Sequence, residues 1–249
     1  MTTDDILLEV KVENFTLDCP AVGRPDVDGH GHIHVMVDGM SMARLINFSC
    51  EETITIPGDG LAAGPHTIIV MLSSNTHMDM METMTQVEID FQPANAKPLP
   101  AAEDLRVPGV ELMNLTDGAT VLSVFTVEVN PVNFKPSAAL KGKQNVPGYG
   151  HWHVFVDTSM SMMGGTMDDA ASPDADMSMD MATPADGMGD GMAMMSMAGM
   201  VAMPGSNSFE LDLTAWGPGA HTIWIEPVQN DHTMFAEFGH IEFTVVVEG

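Results

Sequence analysis

Apolar and polar residues alternate with a period of two along most of the chain, which is the pattern of half-buried β-strands. Turn residues such as Gly58 and Gly118 separate these alternating segments. The pattern predicts an all-β chain of antiparallel β-sandwich type, Ig-like or cupredoxin-like. The predicted strands are residues 6–12, 33–37, 53–56, 67–72, 86–91, 121–129, 152–156, 209–213, 222–225 and 241–247.

The chain contains one unit twice. Residues 10–38 align without gaps with residues 129–157, with 12 identities in 29 positions, and residues 64–77 align with residues 219–232, with 6 in 14. Such self-similarity predicts two tandem β-sandwich domains. We place repeat 1 at residues 1–92, a Pro/Ala-rich linker at 93–109 and repeat 2 at 110–249.

The second repeat carries an insertion, predicted at residues 160–203. It holds 14 of the 25 methionines and seven aspartates, with no aromatic residue, Ile or Leu, so we expect a long mobile loop. Its methionines are either low-complexity filler with an adaptable apolar surface or thioether ligands for Cu(I). The candidate thioethers follow M-x-M spacing: Met160, Met162, Met163, Met177, Met179, Met181, Met192, Met194, Met195 and Met197.

Four histidines recur at equivalent places in the two repeats. Residues i and i+2 of a strand share a face, so two imidazoles project together from the H-x-H strand of each repeat, and neutral imidazoles suit copper. His66 and His221 lie in the G-x-H-T turns, and His77 and His232 follow them. For these four residues, hydrogen bonding within a turn is the alternative to metal binding. The candidate metal ligands are His32, His34, His66, His77, His151, His153, His221 and His232, with Met36 continuing the first strand face.

The charge and the cysteines of the chain indicate which partners and which cellular location to expect. The chain has 8 Lys and Arg against 35 Asp and Glu, which argues against nucleic acid and anionic membranes as partners. Its apolar runs are too short for membrane insertion. Cys19 and Cys50 both lie in repeat 1, where a disulfide or a pair of free or copper-binding thiols fits. We expect a periplasmic or cell-surface protein whose signal sequence has been removed.

Several motifs resemble those of a family of small exported bacterial β-sandwich domains without an assigned function. Repeat 2 has a D-G-A-T-V opening at Asp117–Val121, G-H-x-H at Gly150–His153, G-x-H-T at Gly219–Thr222 and x-D-H ending at His232. Repeat 1 lacks the D-G-A-T-V opening and has Thr76 before His77. The resemblance implies the sandwich fold. The Met-rich insertion is similar in style to those of periplasmic copper-resistance proteins and multicopper oxidases.

These features favour a cell-envelope copper-binding protein, a carrier or sequestering agent that is not an enzyme, with Cu(II) on histidine and Cu(I) on methionine. A copper-delivering or copper-receiving envelope protein would be its partner, and self-association is a further hypothesis. One alternative is a structural or adhesive surface module that binds calcium through acidic loops such as the one at Asp168. Another is a mononuclear copper redox enzyme similar to superoxide dismutase.

Overall fold

The computed structural model describes residues 4–103, 106–158 and 199–249, and these residues form one compact unit. Their regular structure is almost entirely β, which confirms the all-β prediction. Single-turn 3-10 helices lie at Cys19–Ala21, Met42–Arg44, Met81–Thr83 and Ala138–Leu140. Among the described residues, no helix is long and apolar enough to cross a membrane.

Repeat 1 is a sandwich of two sheets. Its strands are β1 (Ile6–Glu9), β2 (Thr16–Leu17), β3 (His30–Val37), β4 (Leu45–Ser49), β5 (Thr53–Ile56), β6 (Gly64–Ser74) and β7 (Thr85–Phe91). Strand β1 pairs antiparallel with β5, and the second sheet has the order β2-β3-β6-β7, with β4 paired to β3.

Repeat 2 has the same plan with additional strands at its start. Its strands are β8 (Gly109–Leu112), β9 (Ala119–Val121), β10 (Val124–Val132), β11 (Lys135–Pro136), β12 (Tyr149–Val156), β13 (Met200–Ala202), β14 (Ser208–Asp212), β15 (Gly219–Val228) and β16 (Ile241–Val247). One sheet has the order β14-β10-β8, and the other has the order β11-β12-β15-β16-β9, with β13 paired to β12.

Each sandwich has its own core between its two sheets. Side chains alternate along a strand, so the residues between the histidines point inward and pack against the facing sheet. In repeat 1 the core includes Ile33, Val35, Ile54 and Ile68, and in repeat 2 it includes Trp152, Val154, Leu211 and Ile223.

The opposite faces of β3 and β12 are buried as well. Met36, Leu45, Phe155 and Met200 are almost fully buried, yet they belong to neither sandwich core. Contacts between the repeats lie on this side. The Arg24 guanidinium, for example, lies 5.5 Å from the centre of the Trp216 ring. The two sheets therefore share a buried layer between the repeats, and we call it the inter-repeat layer.

Equivalent glycines let the repeats approach each other. Gly23 and Gly142 both have positive φ, 87° and 68°. A Cβ on Gly142 would lie 2.7 Å from the Leu45 carbonyl oxygen, and one on Gly23 would lie 2.8 Å from Val201 Cγ1. Larger residues at these positions would force the repeats apart.

The predicted strands are present, and most of them are longer or shorter than predicted by a few residues. The predicted end of the insertion, at residue 203, is wrong. Residues 200–202 form β13, which pairs with β12 as β4 pairs with β3, and Met200 and Met203 are buried. This segment is part of the sheet because it pairs with β12. Its irregular apolar pattern does not predict that pairing. The mobile-loop prediction for residues 160–198 concerns residues outside the described ranges.

The predicted disulfide between Cys19 and Cys50 is present, with Cα atoms 5.6 Å apart. Repeat 2 has Ala138 and Gly205 at the equivalent positions. A Cβ on Gly205 would lie 2.0 Å from the Ala138 nitrogen, so close backbone packing takes the place of the covalent link.

Candidate metal centre

Two histidines of each site come from the face of a central strand that looks away from its own sandwich core. His32 and His34 lie on β3, and His151 and His153 lie on β12, and all four are 0–3% exposed. Because the inter-repeat layer covers these faces, the imidazoles are enclosed.

The third histidine of each site follows the long strand that pairs with the H-x-H strand. His77 comes after β6 and His232 after β15, and each has a φ of 63°. A non-glycine residue in the left-handed region is uncommon and is held there by its surroundings. Here the turn brings the ring back over the two histidines of the neighbouring strand.

In site 1, three ring nitrogens converge. His32 Nε2 lies 2.9 Å from His34 Nε2 and 3.0 Å from His77 Nδ1, and the third side of the triangle, from His34 Nε2 to His77 Nδ1, is 3.4 Å. Site 1 is therefore a compact set of three imidazoles.

Site 2 repeats this arrangement in repeat 2. His151 Nε2 lies 3.3 Å from His153 Nε2 and 3.1 Å from His232 Nδ1, and His153 Nε2 lies 3.2 Å from the same Nδ1 atom. Among the described residues, these two triads are the groups of three or more His, Cys, Asp or Glu that could hold a metal ion.

The donor geometry fits a transition-metal ion. Three imidazole nitrogens at about 2.0 Å from one ion and at tetrahedral angles lie about 3.3 Å apart. The nitrogens of site 2 are 3.1–3.3 Å apart, and those of site 1 are 2.9–3.4 Å apart. Neither triad needs more than a small shift to meet this spacing.

Burial lowers the pKa of five histidines of the two triads. It lowers the pKa of His77 and of His232 to about 4. Burial, with the neighbouring histidines, also lowers the pKa of His32, His151 and His153 far below the ordinary value. A neutral imidazole is the form that binds metal, so the lowered pKa values of these five histidines favour metal binding at pH 7.

Hydrogen bonds across the inter-repeat layer orient the third histidine of each site. His77 Nε2 donates to the Met200 carbonyl oxygen of repeat 2 at 2.9 Å, and His232 Nε2 donates to the Leu45 carbonyl oxygen of repeat 1 at 2.8 Å. With the proton on Nε2, the lone pair of a neutral ring is on Nδ1, the atom that faces the triad. Each site is thus held in place by the other repeat.

The groups around the two triads differ in charge. In site 1, Asp79 Oδ1 lies 2.7 Å from His34 Nδ1, although not at a hydrogen-bonding angle. The equivalent residue of repeat 2 is Met234, since the bridge between Ser73 and Asp79 matches the one between Val228 and Met234. Site 1 therefore has a carboxylate at this position, where site 2 has a thioether.

A buried lysine lies beside site 2. Lys141 Nζ donates to Asn47 Oδ1 and to the Met203 carbonyl oxygen, both at 3.1 Å, and burial lowers its pKa to about 8. Its charge contributes to the lowered pKa values of all three site 2 histidines. Repeat 1 has Val22 at this position.

A buried carboxyl group also lies on the site 2 side of β15. Glu226 is opposite His153 in the strand pairing, and repeat 1 has Met71 opposite His34. Burial raises the pKa of Glu226 to about 7, and Trp224 Nε1 donates to its Oε2 at 2.9 Å. The strand pattern did not mark Asp79, Lys141 or Glu226 as site residues, although alignment of the repeats pairs each of them with an apolar residue.

The structure does not bring His66 or His221 to either triad. His66 Nδ1 donates to Asp38 Oδ2 at 2.7 Å and Nε2 donates to the Ala62 carbonyl oxygen at 2.8 Å. His221 makes the same bonds to Asp157 and Gly217, at 2.8 and 3.1 Å. Although burial opposes it, these bonds raise the pKa of His66. Both ring nitrogens are occupied as donors, which matches the structural alternative for this pair.

The predicted thioether ligands are Met36, on β3, and ten methionines of the insertion. Met36 is buried on the same face of β3 as His32 and His34, and Phe155 takes its place in repeat 2. Its role as a ligand stays a prediction. The ten methionines predicted from Met160 to Met197 lie outside the described residues.

No protein-family model matches the chain, and no curated protein matches it significantly. Among solved structures, it is similar to the fibronectin(III)-like modules of Clostridium thermocellum CbhA, with 12% identity and a TM-score of 0.27 over 99% of this chain and 87% of that one. It is also similar to a tetra-tandem repeat in the extending region of a large adhesion protein, with 10% identity and a TM-score of 0.22 over 98% of this chain and 49% of that one. Likenesses this distant carry no argument about function.

Proposed function

We propose that the chain is a metal-binding tandem β-sandwich module in which each histidine triad holds one transition-metal ion through three imidazoles. The observation that carries the proposal is the convergence of three ring nitrogens to within 2.9–3.4 Å in both repeats. Neutral histidines packed this closely in a buried layer have unused lone pairs that an ion would satisfy.

Copper is the ion that we expect to bind most tightly. Imidazole donors suit copper, zinc and nickel, and for divalent ions the affinity of a given site is highest for Cu(II). The methionines of the insertion would add thioether capacity for Cu(I), which prefers soft donors. The disulfide agrees with an oxidising, extracytoplasmic location, the cell envelope or the extracellular space.

The enclosure of the triads favours a stably held ion over a rapidly exchanged one. The six histidines are at most 7% exposed, apart from His77, which is partly buried. His77 and His232 also bond to the other repeat. Release to a partner protein would require the inter-repeat layer to open. Catalysis would require a substrate to reach the ion, and the burial of the triads supports a function other than catalysis.

A structural surface module is the second candidate, and the cross-repeat hydrogen bonds are the observation that favours it. Since each triad is fixed partly by the opposite repeat, bound ions would lock the two sandwiches together. In this candidate the metal stabilises a rigid tandem module, with transition metal in place of the calcium expected from acidic loops. The two candidates differ in the rate at which the ion leaves the protein.

Metal stoichiometry tests the proposal. Protein purified without chelator and titrated with Cu(II) should bind about two ions per chain through imidazole, in addition to Cu(I) held by thioethers. The quadruple variant His32→Ala, His34→Ala, His151→Ala and His153→Ala should lose both Cu(II) ions while its β-sheet circular dichroism persists. His66→Asn and His221→Asn are the matched controls, and they should lower stability but keep both ions.

Unchanged Cu(II) binding in the quadruple variant would disprove the site assignment. Calcium retained at stoichiometric levels in place of a transition metal would support the acidic-loop alternative. Dissociation rates, measured with a chelator in excess, separate the carrier from the structural module: minutes or less for a carrier, and far slower release for a locked module.

A further inference from the structure

The two triads lie close together across the inter-repeat layer. His77 of site 1 bonds to the Met200 carbonyl oxygen, and Met200 pairs with Phe155 of β12. Phe155 is two residues from His153 of site 2, and the centres of these two rings are 6.2 Å apart. The third histidine of site 1 is therefore in contact with β13, the strand next to the one that carries two histidines of site 2.

A second path of the same kind runs in the opposite direction. His232 of site 2 bonds to the Leu45 carbonyl oxygen, and Leu45 pairs with Met36 of β3. Met36 is two residues from His34 of site 1. Because each site reaches the neighbouring strand of the other, the closeness of the triads follows from the duplicated arrangement and not from one contact.

Electrostatic interactions connect the same residues. Burial is the main cause of the lowered pKa of His232 and of His153. The charge of a histidine in the other site lowers each pKa further: His34 acts on His232, and His77 acts on His153. In a buried layer that salt does not screen, charges on the order of 10 Å apart interact more strongly than in water.

We infer that the two triads form one two-ion centre, in which a divalent ion bound at either site weakens the binding of a divalent ion at the other. The inference rests on the proposed function, since both triads must hold ions. Its consequence is a chain that holds its first ion tightly and exchanges its second more readily. A single module would then combine a structural ion with a transferable one.

Ordering of the layer acts in the opposite direction but is the smaller effect. An ion that fixes His77 or His232 also fixes the carbonyl group to which that histidine bonds, which would favour binding at the other site. These carbonyls belong to strands that are already paired, so little disorder remains to be removed. Two doubly charged ions on the order of 10 Å apart repel each other by an energy worth roughly tenfold in affinity even at the dielectric constant of water, and by more in a buried layer.

Affinities of each site alone and in the full chain measure the coupling. The pair His151→Ala and His153→Ala leaves site 1 alone. The pair His32→Ala and His34→Ala leaves site 2 alone. In a chelator buffer that sets the free ion concentration, the second Cu(II) ion of the full chain should bind about 10- to 100-fold more weakly than in the corresponding single-site protein. Zn(II) shifts of the histidine ring nitrogens in NMR spectra report which triad is filled.

The charge of the ion separates repulsion from structural coupling. Repulsion depends on the product of the two charges, so with Ag(I) at both triads the weakening should fall to about 2- to 3-fold. Coupling through ordered structure would be equal for the two ions. Zn(II) at one site should weaken Cu(II) binding at the other as strongly as a second Cu(II) does. Two Cu(II) ions should also broaden each other's EPR signals, and Zn(II) in one site should remove this broadening.

Lys141→Val is the matched control. The Lys141 charge acts on site 2 whether or not site 1 is filled, so this substitution should change the affinity of site 2 and leave the coupling factor unchanged. Affinities in the full chain equal to those of the single-site proteins, or equal weakening by Ag(I) and Zn(II), would overturn the inference and leave the triads as metal sites. Unbroadened EPR signals from the wild-type chain with two bound Cu(II) ions would overturn it without any variant. Failure of both single-site proteins and of the wild-type chain to bind an ion through histidine would overturn the proposed function as well.

Discussion

The charges beside each triad decide how strongly it attracts a cation. Asp79 adds a negative charge next to His34 in site 1, whereas Lys141 adds a positive charge next to site 2. A carboxylate near a ligating histidine raises its basicity, and removal of such a partner costs about 10–100-fold in metal affinity. Two sites with the same donors should therefore differ in affinity, and site 1 should fill first.

Replacing Asp79 and Lys141 by their counterparts in the other repeat tests this difference in Cu(II) affinity. Asp79→Met installs the repeat 2 residue and should weaken Cu(II) binding at site 1 at least tenfold. Lys141→Val installs the repeat 1 residue and should strengthen binding at site 2 by roughly tenfold, since it removes a nearby like charge. Competition with a chelator at pH 6, below the Glu226 pKa of about 7, measures both.

Each site is measured alone after the two β-strand histidines of the other site are replaced by Ala. Equal affinities in the wild-type pair, or no change on either exchange, would contradict the electrostatic argument. Loss of all binding in both single-site proteins would instead contradict the proposed ligands.

At the scale of elements, the duplicated strands show where the insertion stops. Repeat 1 connects β3 to β4 through Gly39–Arg44, and repeat 2 connects β12 to β13 through residues 157–199. Loop closure entropy depends only weakly on length, so a long insertion at such a turn costs little stability. Strand β13, at the end of the insertion, contributes to stability, because Met200 and Met203 are buried.

Two deletions separate the loop from the strand. Removal of residues 160–196 should change the free energy of unfolding by less than about 1 kcal/mol. Removal of residues 160–203 should cost several kcal/mol, since loss of a buried methionine side chain alone costs about 2–5 kcal/mol. Urea denaturation of the two proteins provides the comparison, and similar midpoints would contradict the assignment of β13 to the sheet.

At the scale of the whole molecule, the triads tie stability to pH. His77 and His232 have a pKa of about 4 when folded, and the unfolded value is near 6.5. The unfolded chain therefore binds more protons between these values, and stability that is complete above pH 6.5 is lost as pH falls toward 4. Protonation at Nδ1 leaves the Nε2 bonds to the other repeat in place but puts positive charge inside the buried inter-repeat layer.

The metal-free protein should become less stable by a few kcal/mol between pH 6.5 and 4, as measured by urea midpoints. The variant His77→Asn with His232→Asn should show a flatter profile, and Asn tolerates the positive φ of these positions. Copper-loaded protein should resist acid further, because the ions bind the folded state. Release of Cu(II) should occur nearer pH 4 than at the ordinary histidine pKa. Parallel profiles of stability against pH for the wild type and the variant would show that the triads are not the source of the pH dependence.

The sequence by itself determined the repeat, the strand class and the shared strand faces of four of the six triad histidines. A period of two specifies which residues share a strand face, and duplication marks the same histidines twice, so local pattern and spacing were sufficient for these predictions. Two cysteines in one repeat left a disulfide and a pair of free or copper-binding thiols open, and the structure contains the disulfide. Alternation also located ten of the described strands, but not β2, β4, β8, β9, β11 or β13, whose places in the sheets depend on long-range partners.

Tertiary structure decided what each histidine does. His66 and His77 are equally well marked in the sequence, yet only packing shows that Asp38 and a carbonyl occupy both nitrogens of the first, while the second turns its free nitrogen to His32. The inter-repeat layer, with Lys141 beside site 2 and the Met200 carbonyl on His77, joins residues far apart in the chain. Burial and charge at a site are properties of such neighbours, and the spacing of residues along one strand does not contain them.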